Sequence, residues 1–249
     1  NKELVRNTLI LGFGQFIPKI FSLITLPLLT VYLSKEDYGF YDLIITTSSI
    51  LVSVVTLQIQ NAIFRFGLTA NNKNERNEYF SSALIFAFYS MLLVCTIIFL
   101  ISRLFSFPVV ITFLALIIFL CMGLYNNIGQ LNRAVGNNLK YSFGAIISTL
   151  MNAITVVVFV YFFKLDLIGV ILSYIVSYTI AICYLYLRNK NKYNISLQYF
   201  NMSKLKEMLY FSSPMVLSSI SLWICNLSDR YLLTVFLGVG ASGVYAVAN

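Results

Sequence analysis

Lys19, Asp42, Asp229 and Arg230 are charges set inside long apolar stretches, and a charge in such a place needs a reason. The chain has no histidine, which removes imidazole acid–base chemistry and imidazole metal ligation. Cys95, Cys121, Cys183 and Cys225 are scattered singly through apolar runs and read as small hydrophobes, not as ligands or disulfide partners. No metal or other cofactor is implied. What remains is cation and carboxylate chemistry. Ammonium and guanidinium groups can neutralise an anion, and carboxylates can pair with them or take up H⁺ or Na⁺. Amides and hydroxyls can hydrogen-bond a polar ligand.

Lys19 lies about ten residues into the first apolar run, roughly 15 Å deep if that run is helical, with Gln15 and Ser22 on its face. A lysine there costs at least ~2.5 kcal/mol, so it either pairs with a neighbouring helix or faces a cavity. Pro18 and Pro27 in the same run predict a bend. Asp42, Thr46, Ser49, Ser53, Thr56 and Gln60 alternate spacings of four and three, which keeps them on one helix face. Such a stripe lines a hydrated cavity or packs against another helix. Arg230 continues the line Ser219, Trp223, Asn226, with Asp229 beside it. The two charges form a self-neutralising pair, or the arginine faces a cavity and the aspartate orients it. Arg65, at the end of its run, is a headgroup anchor or a ligand contact. Two weaker patterns, Asn126/Asn127/Gln130 and Ser148/Asn152/Thr155, are explained equally well by interhelical hydrogen bonds.

These residues must be held by helices in a membrane. Of the 249 residues, 59% are hydrophobic and 10% are charged, against about 45–50% and about 25% in a soluble domain. The apolar runs have the length of roughly 20 residues that a spanning helix needs. The expected fold is therefore all-α and polytopic. Its spans are read at 9–33, 40–64, 80–102, 107–129, 142–163, 165–187 and 208–237, about seven complete helices, with an eighth beginning near Ala241. One set of connections carries Lys2, Arg6, Arg65, Lys73, Arg76, Arg133, Lys140, Arg188, Lys190, Lys192, Lys204 and Lys206. The other carries Lys35, Arg103 and Lys164. This asymmetry predicts a cytoplasmic N-terminus. It also accounts for the net charge of +8 without any nucleic acid.

Residues 28–41, LLTVYLSKEDYGFY, return at 232–245 as LLTVFLGVGASGVY after a shift of 204 positions without a gap. Leu28, Leu29, Thr30, Val31, Leu33, Gly39 and Tyr41 fall on identical residues. The first and seventh spans run the same way, so the period describes a six-helix bundle followed by the start of another. The expected organisation is residues 1–200 as an N-terminal bundle and 201–249 as the opening of a C-terminal one, within a protein of about twelve helices.

With LPLLTVYLSKEDYGFY at 26–41 and DRYLLTVFLGVGASGVY at 229–245, the chain resembles the polysaccharide (O-antigen type) flippases of the multidrug/oligosaccharidyl-lipid/polysaccharide exporter superfamily. The resemblance covers all spans in order. It implies two pseudosymmetric bundles around a V-shaped cavity of alternating access. It also implies a cargo of undecaprenyl-diphosphate-linked oligosaccharide, moved across the bacterial cytoplasmic membrane for surface polysaccharide such as lipopolysaccharide O-antigen. Many members carry a basic residue where this chain has Val31, so that contact does not carry over.

The expectation is thus a transporter and not an enzyme. Lys19, Arg230 and Arg65 would meet the diphosphate, and Gln15, Ser53, Gln60 and Asn226 would offer neutral partners. Asp42 and Asp229 are the candidates for H⁺ or Na⁺ coupling. A cation-coupled multidrug antiporter of the same superfamily is the alternative, although a pump for cations would be expected to place carboxylates deep in its first bundle. A membrane-embedded polysaccharide enzyme would need a positioned acid–base group, for which a chain without histidine and with short outer loops offers no mount.

Overall fold

A polypeptide in hydrocarbon must satisfy its backbone internally, and long apolar runs do so as helices. The computed structural model describes residues 2–189 and 192–248, with side chains described from Gly12 onward except Phe13, Gln15, Ser22, Ile24 and Ala248. Among these residues there is no strand, and the helices in order are α1 (Lys2–Tyr32), α2 (Lys35–Val55), α3 (Ile59–Thr69), α4 (Lys73–Leu104), α5 (Val109–Ala134), α6 (Asn138–Val156), α7 (Asp166–Leu187), α8 (Met202–Leu237) and α9 (Val239–Ala248). Six of the described helices, α2, α4, α5, α6 with its extension, α7 and α8, are long and apolar enough to cross a bilayer. The chain is an all-α polytopic membrane protein. α1 runs unbroken through Pro18 and Pro27, where each ring removes a backbone donor. α6 ends in a wider turn over Val157–Phe162, where the Phe163 amide reaches back five residues to Val158.

The polar helix starts are capped by their own sequence. Ser34 accepts from the Asp37 amide at 3.0 Å, and Asn72 accepts from the Glu75 amide at 2.8 Å. Between α7 and α8, residues 194–201 are bolted to α4: the Asn194 amide donates to Asn77 at 2.9 Å, the Ser196 amide to Ser81 at 3.2 Å, and the Asn201 amide to Ser82 at 2.8 Å. This brings the first turns of α8 into the main core, where Leu205 and Met208 join Ile63, Phe80, Met91 and Leu131.

The single span read over 40–64 is corrected by the structure. α2 stops at Val55, residues 56–58 turn, and α3 restarts at Ile59. Leu57 and Gln58 take φ of 50° and 54°, the left-handed region that costs non-glycine residues energy. The buried Gln58 side chain offsets that cost. It donates to Ser219 of α8 at 2.5 Å and accepts from Gln60 at 3.1 Å and Asn61 at 3.0 Å. The stripe from Asp42 to Gln60 is therefore divided between two helices.

α2 crosses α9 at a pair of glycines. A Cβ on Gly39 would lie 2.3 Å from the Val239 carbonyl oxygen, and one on Gly243 would lie 2.2 Å from that of Lys35. The contact is reciprocal at the shift of 204: Lys35 corresponds to Val239 and Gly39 to Gly243, and each glycine faces the other's partner. Overpacked sites typically lose about 1–3 kcal/mol, and backbone on both sides leaves little room to relax. Gly243→Val is therefore expected to lower the thermal midpoint of the detergent-solubilised protein by several degrees, read by loss of monodisperse elution after heating. Gly12→Ala, whose new methyl meets nothing within 4 Å, should leave it unchanged. Equal midpoints for all three proteins would refute the close crossing.

Candidate functional site

Arg230 sits on α8 where it must be neutralised, and its partner comes from 188 residues earlier in the chain. The guanidinium Nη1 donates to the Asp42 carboxylate on α2 and to Thr46 Oγ1 at 3.3 Å. Both charged side chains are largely buried, with 16% and 14% of their surface exposed. Asp229 is occupied otherwise: it accepts from the Tyr245 hydroxyl on α9 and from the Arg230 amide at 2.9 Å. Of the two arrangements open in the sequence, the self-neutralising pair of Asp229 with Arg230 is not formed, and a chain of contacts runs from α2 through α8 to α9. One turn further along α2, the Thr47 hydroxyl meets that of Tyr231 at 2.5 Å. Asp42 Oδ2 and Arg230 Nε are buried and meet no hydrogen-bond partner among the described residues.

Lys19 lies elsewhere. It is exposed on α1 and lines a cavity of about 320 Å³ bounded by α1, α6 and α7. Ser148, Thr149, Asn152, Tyr174 and Tyr178 also line it, and among the described residues no carboxylate does. Arg230 does not line this cavity, so the structure does not bring the two cations into one site. The cavity belongs to a run of tyrosines through the helix bundle. Tyr41 and Tyr174 join hydroxyl to hydroxyl at 2.7 Å, and the Tyr174, Tyr178 and Tyr125 rings follow at centroid separations of 6.0 and 5.2 Å.

The remaining predicted residues are scattered. Arg65 is exposed on α3, and its guanidinium lies 4.2 Å from the Phe211 ring centroid, a cation–π contact that ties α3 to α8. Gln60 bonds Gln58, as described above. The Ser53 hydroxyl returns to the Ser49 carbonyl at 3.2 Å, that of Ser49 to Thr46 at 2.8 Å, and that of Thr56 to Val52 at 2.7 Å. Much of the stripe thus back-bonds its own helix. Asn226 is exposed and donates to the Leu222 carbonyl at 2.7 Å. The side chain of Gln15 lies outside the described residues. Sequence reasoning passed over Gln58, which carries no distinguishing neighbour, and the tyrosines, which are lost among 17 in the chain. It registered Asn152 as one of a Ser–Asn–Thr series.

A family model described as "Polysaccharide biosynthesis protein" matches residues 4–249. The chain belongs to that family. No curated protein matches this polysaccharide biosynthesis family member significantly. Among solved structures it is similar to a MATE protein in complex with MaL6 (15% identity, TM-score 0.72, 97% of this chain and 58% of that one). It is equally similar to a MOP superfamily transporter from Pyrococcus furiosus (15%, 0.72, 97% and 57%), for which a reverse polarity of the binding pocket has been taken to suggest a different function. A multidrug resistance MATE family transporter in an outward-facing conformation matches at 15% identity and TM-score 0.67 over 97% and 58%. At these identities the likeness speaks of fold alone, and the chain spans under three fifths of each of those structures.

Breaking a buried pair by removing one partner costs about 3–5 kcal/mol, because the other charge is stranded. Asp42→Asn in the family member is therefore expected to cut the folded yield sharply, and Arg230→Gln added to it should restore much of the loss. A double-mutant cycle on thermal stability measures this coupling. Strictly additive effects would dissolve the pair.

Proposed function

We propose that this family member is a flippase for undecaprenyl-diphosphate-linked oligosaccharide in the bacterial cytoplasmic membrane, with its N-terminus inside. In this reading residues 1–200 form one bundle and residues 201–249 open a second. The observation that carries it is the cavity between α1, α6 and α7, which among the described residues offers an ammonium, an amide and several hydroxyls and no carboxylate. A low-dielectric site of that kind favours an anionic, hydroxyl-rich cargo. The same observation disfavours the multidrug reading, since a cationic drug would want a carboxylate there. Lys19 and the exposed Arg65 are the cations that would meet the diphosphate first. Arg230 can do so only by exchanging Asp42 for phosphate oxygens, which links cargo binding to release of α2 from α8.

Deleting the gene should remove surface glycan without broadly sensitising cells to drugs. Lys19→Ala in the complete gene product should lower surface glycan by about tenfold, equivalent to ~1.4 kcal/mol, at unchanged membrane level. Lectin labelling and an immunoblot of membranes measure both. Wild-type glycan in the deletion strain, or broad drug sensitisation in its place, would defeat the proposal.

Asp42 and Asp229 remain the candidates for ion coupling. Protonation or sodium binding at Asp42 would remove the charge that holds Arg230. In proteoliposomes, cargo transport should respond to an imposed pH or sodium gradient, and Asp42→Asn combined with Arg230→Gln, the pair expected to fold, should lose that response. Transport indifferent to both gradients would eliminate coupling at either residue.

A further inference from the structure

The cavity that holds Lys19 carries a second signature, independent of charge. Tyr174 and Tyr178 contribute aromatic side chains to the lining, and both are held by neighbours: Tyr174 by the hydroxyl contact with Tyr41, and Tyr178 by the ring of Tyr125. Fixed aromatic faces are platforms for the apolar C–H face of a ring.

Opposite chemistry lines the rest of the cavity. The Ser148 hydroxyl donates to the Ala145 carbonyl at 3.1 Å, that of Thr149 to the same carbonyl at 2.9 Å, and that of Ser177 to Tyr174 at 2.9 Å. Each hydroxyl proton is spent on its own helix, which leaves oxygen lone pairs to accept from a ligand. Donors are supplied separately. Asn152 Nδ2 is buried and meets no hydrogen-bond partner among the described residues, and the Lys19 ammonium lines the same space. A buried amide N–H without a partner asks for one, in water or in a ligand.

A ligand that matches has one apolar face and a rim of groups that both donate and accept. A pyranose has that construction. We propose that the α1/α6/α7 cavity is a sugar subsite, seating one pyranose ring of the glycan against Tyr178 and Tyr174, with the buried Asn152 amide turning toward the cavity to donate to a ring hydroxyl. At about 320 Å³ the cavity stands at the lower end of ligand-site volumes and takes one ring, not an oligosaccharide. Lys19 biases the subsite toward a ring that bears an anionic group. The assignment rests on the flippase reading for its cargo, and on the cavity alone for its chemistry.

Saturation-transfer NMR on the complete gene product in nanodiscs tests it. The probes are the methyl glycosides of glucose, galactose, N-acetylglucosamine and glucuronic acid. Wild-type protein should transfer saturation to the ring protons of at least one glycoside, most strongly to glucuronide, and Lys19→Gln should erase that preference. Asn152→Leu and Tyr178→Leu should each weaken binding by about tenfold, whereas Tyr178→Phe, which keeps the ring, should bind as wild type does. Unchanged thermal midpoints identify the variants that are folded, and Asn152→Ala substitutes for Asn152→Leu if the latter is not. Transfer to none of the four probes, or equal transfer in folded Asn152 and Tyr178→Leu variants, overturns the subsite. Either result leaves the flippase reading standing if surface glycan still depends on the gene. Binding that survives in a protein whose deletion spares surface glycan would keep the sugar site and reject the flippase.

Discussion

An arginine inside an apolar helix must be answered, and the answer decides which helices touch. Arg230 is neutralised by Asp42, so α8 is held against α2. The attraction works in a medium where an unpaired charge would be very costly, and it demands close geometry to offset the desolvation of both groups. The contacts that flank the pair follow from that alignment. Thr47 meets Tyr231 on one side, and Asp229 reaches Tyr245 of α9. Beyond them Gly39 and Gly243 let the backbones of α2 and α9 nearly touch. A larger residue at either position would push α9 away from α2, beside the contact that the ion pair makes between α2 and α8.

The turn at 56–58 extends the same seam along α8. A straight helix from Asp42 to Gln60 would carry its polar face past α8 at one fixed angle. The interruption re-aims the chain, so that Gln58 reaches Ser219 and, further along, Arg65 covers Phe211. α8 is thus joined to α2 and α3 by an ion pair, an amide and a cation–π contact in succession. All three are polar or charged interactions, which hold helices together where burial of apolar surface between them gains little over contact with lipid.

How much of this was readable follows from distance along the chain. Helices declared themselves through apolar length: α5, α7 and the runs at 80–102 and 142–163 fall where hydropathy puts them, because one element supplies the whole signal. α8 starts earlier than its apolar core, at Met202, because its polar first turns are held by contacts to α4. The break after Val55 was not legible, since no glycine or proline marks it and its left-handed residues are sustained by Ser219, far away in sequence. Lys19, Asp42, Asp229 and Arg230 were recognisable as anomalies one at a time. Their partners were not, because a pairing across 188 positions leaves no local trace. The tyrosine walls had no signal at all in a chain that is 16% aromatic.

The two polar centres differ in a way that bears on cargo. At Arg230 the cation is matched by a carboxylate, and bringing in an anion there means displacing Asp42, so any gain is reduced by the charge left behind. At Lys19 none of the described residues lining the cavity is a carboxylate. The cavity of α1, α6 and α7 and the contact between α2 and α8 are thus built from different residues.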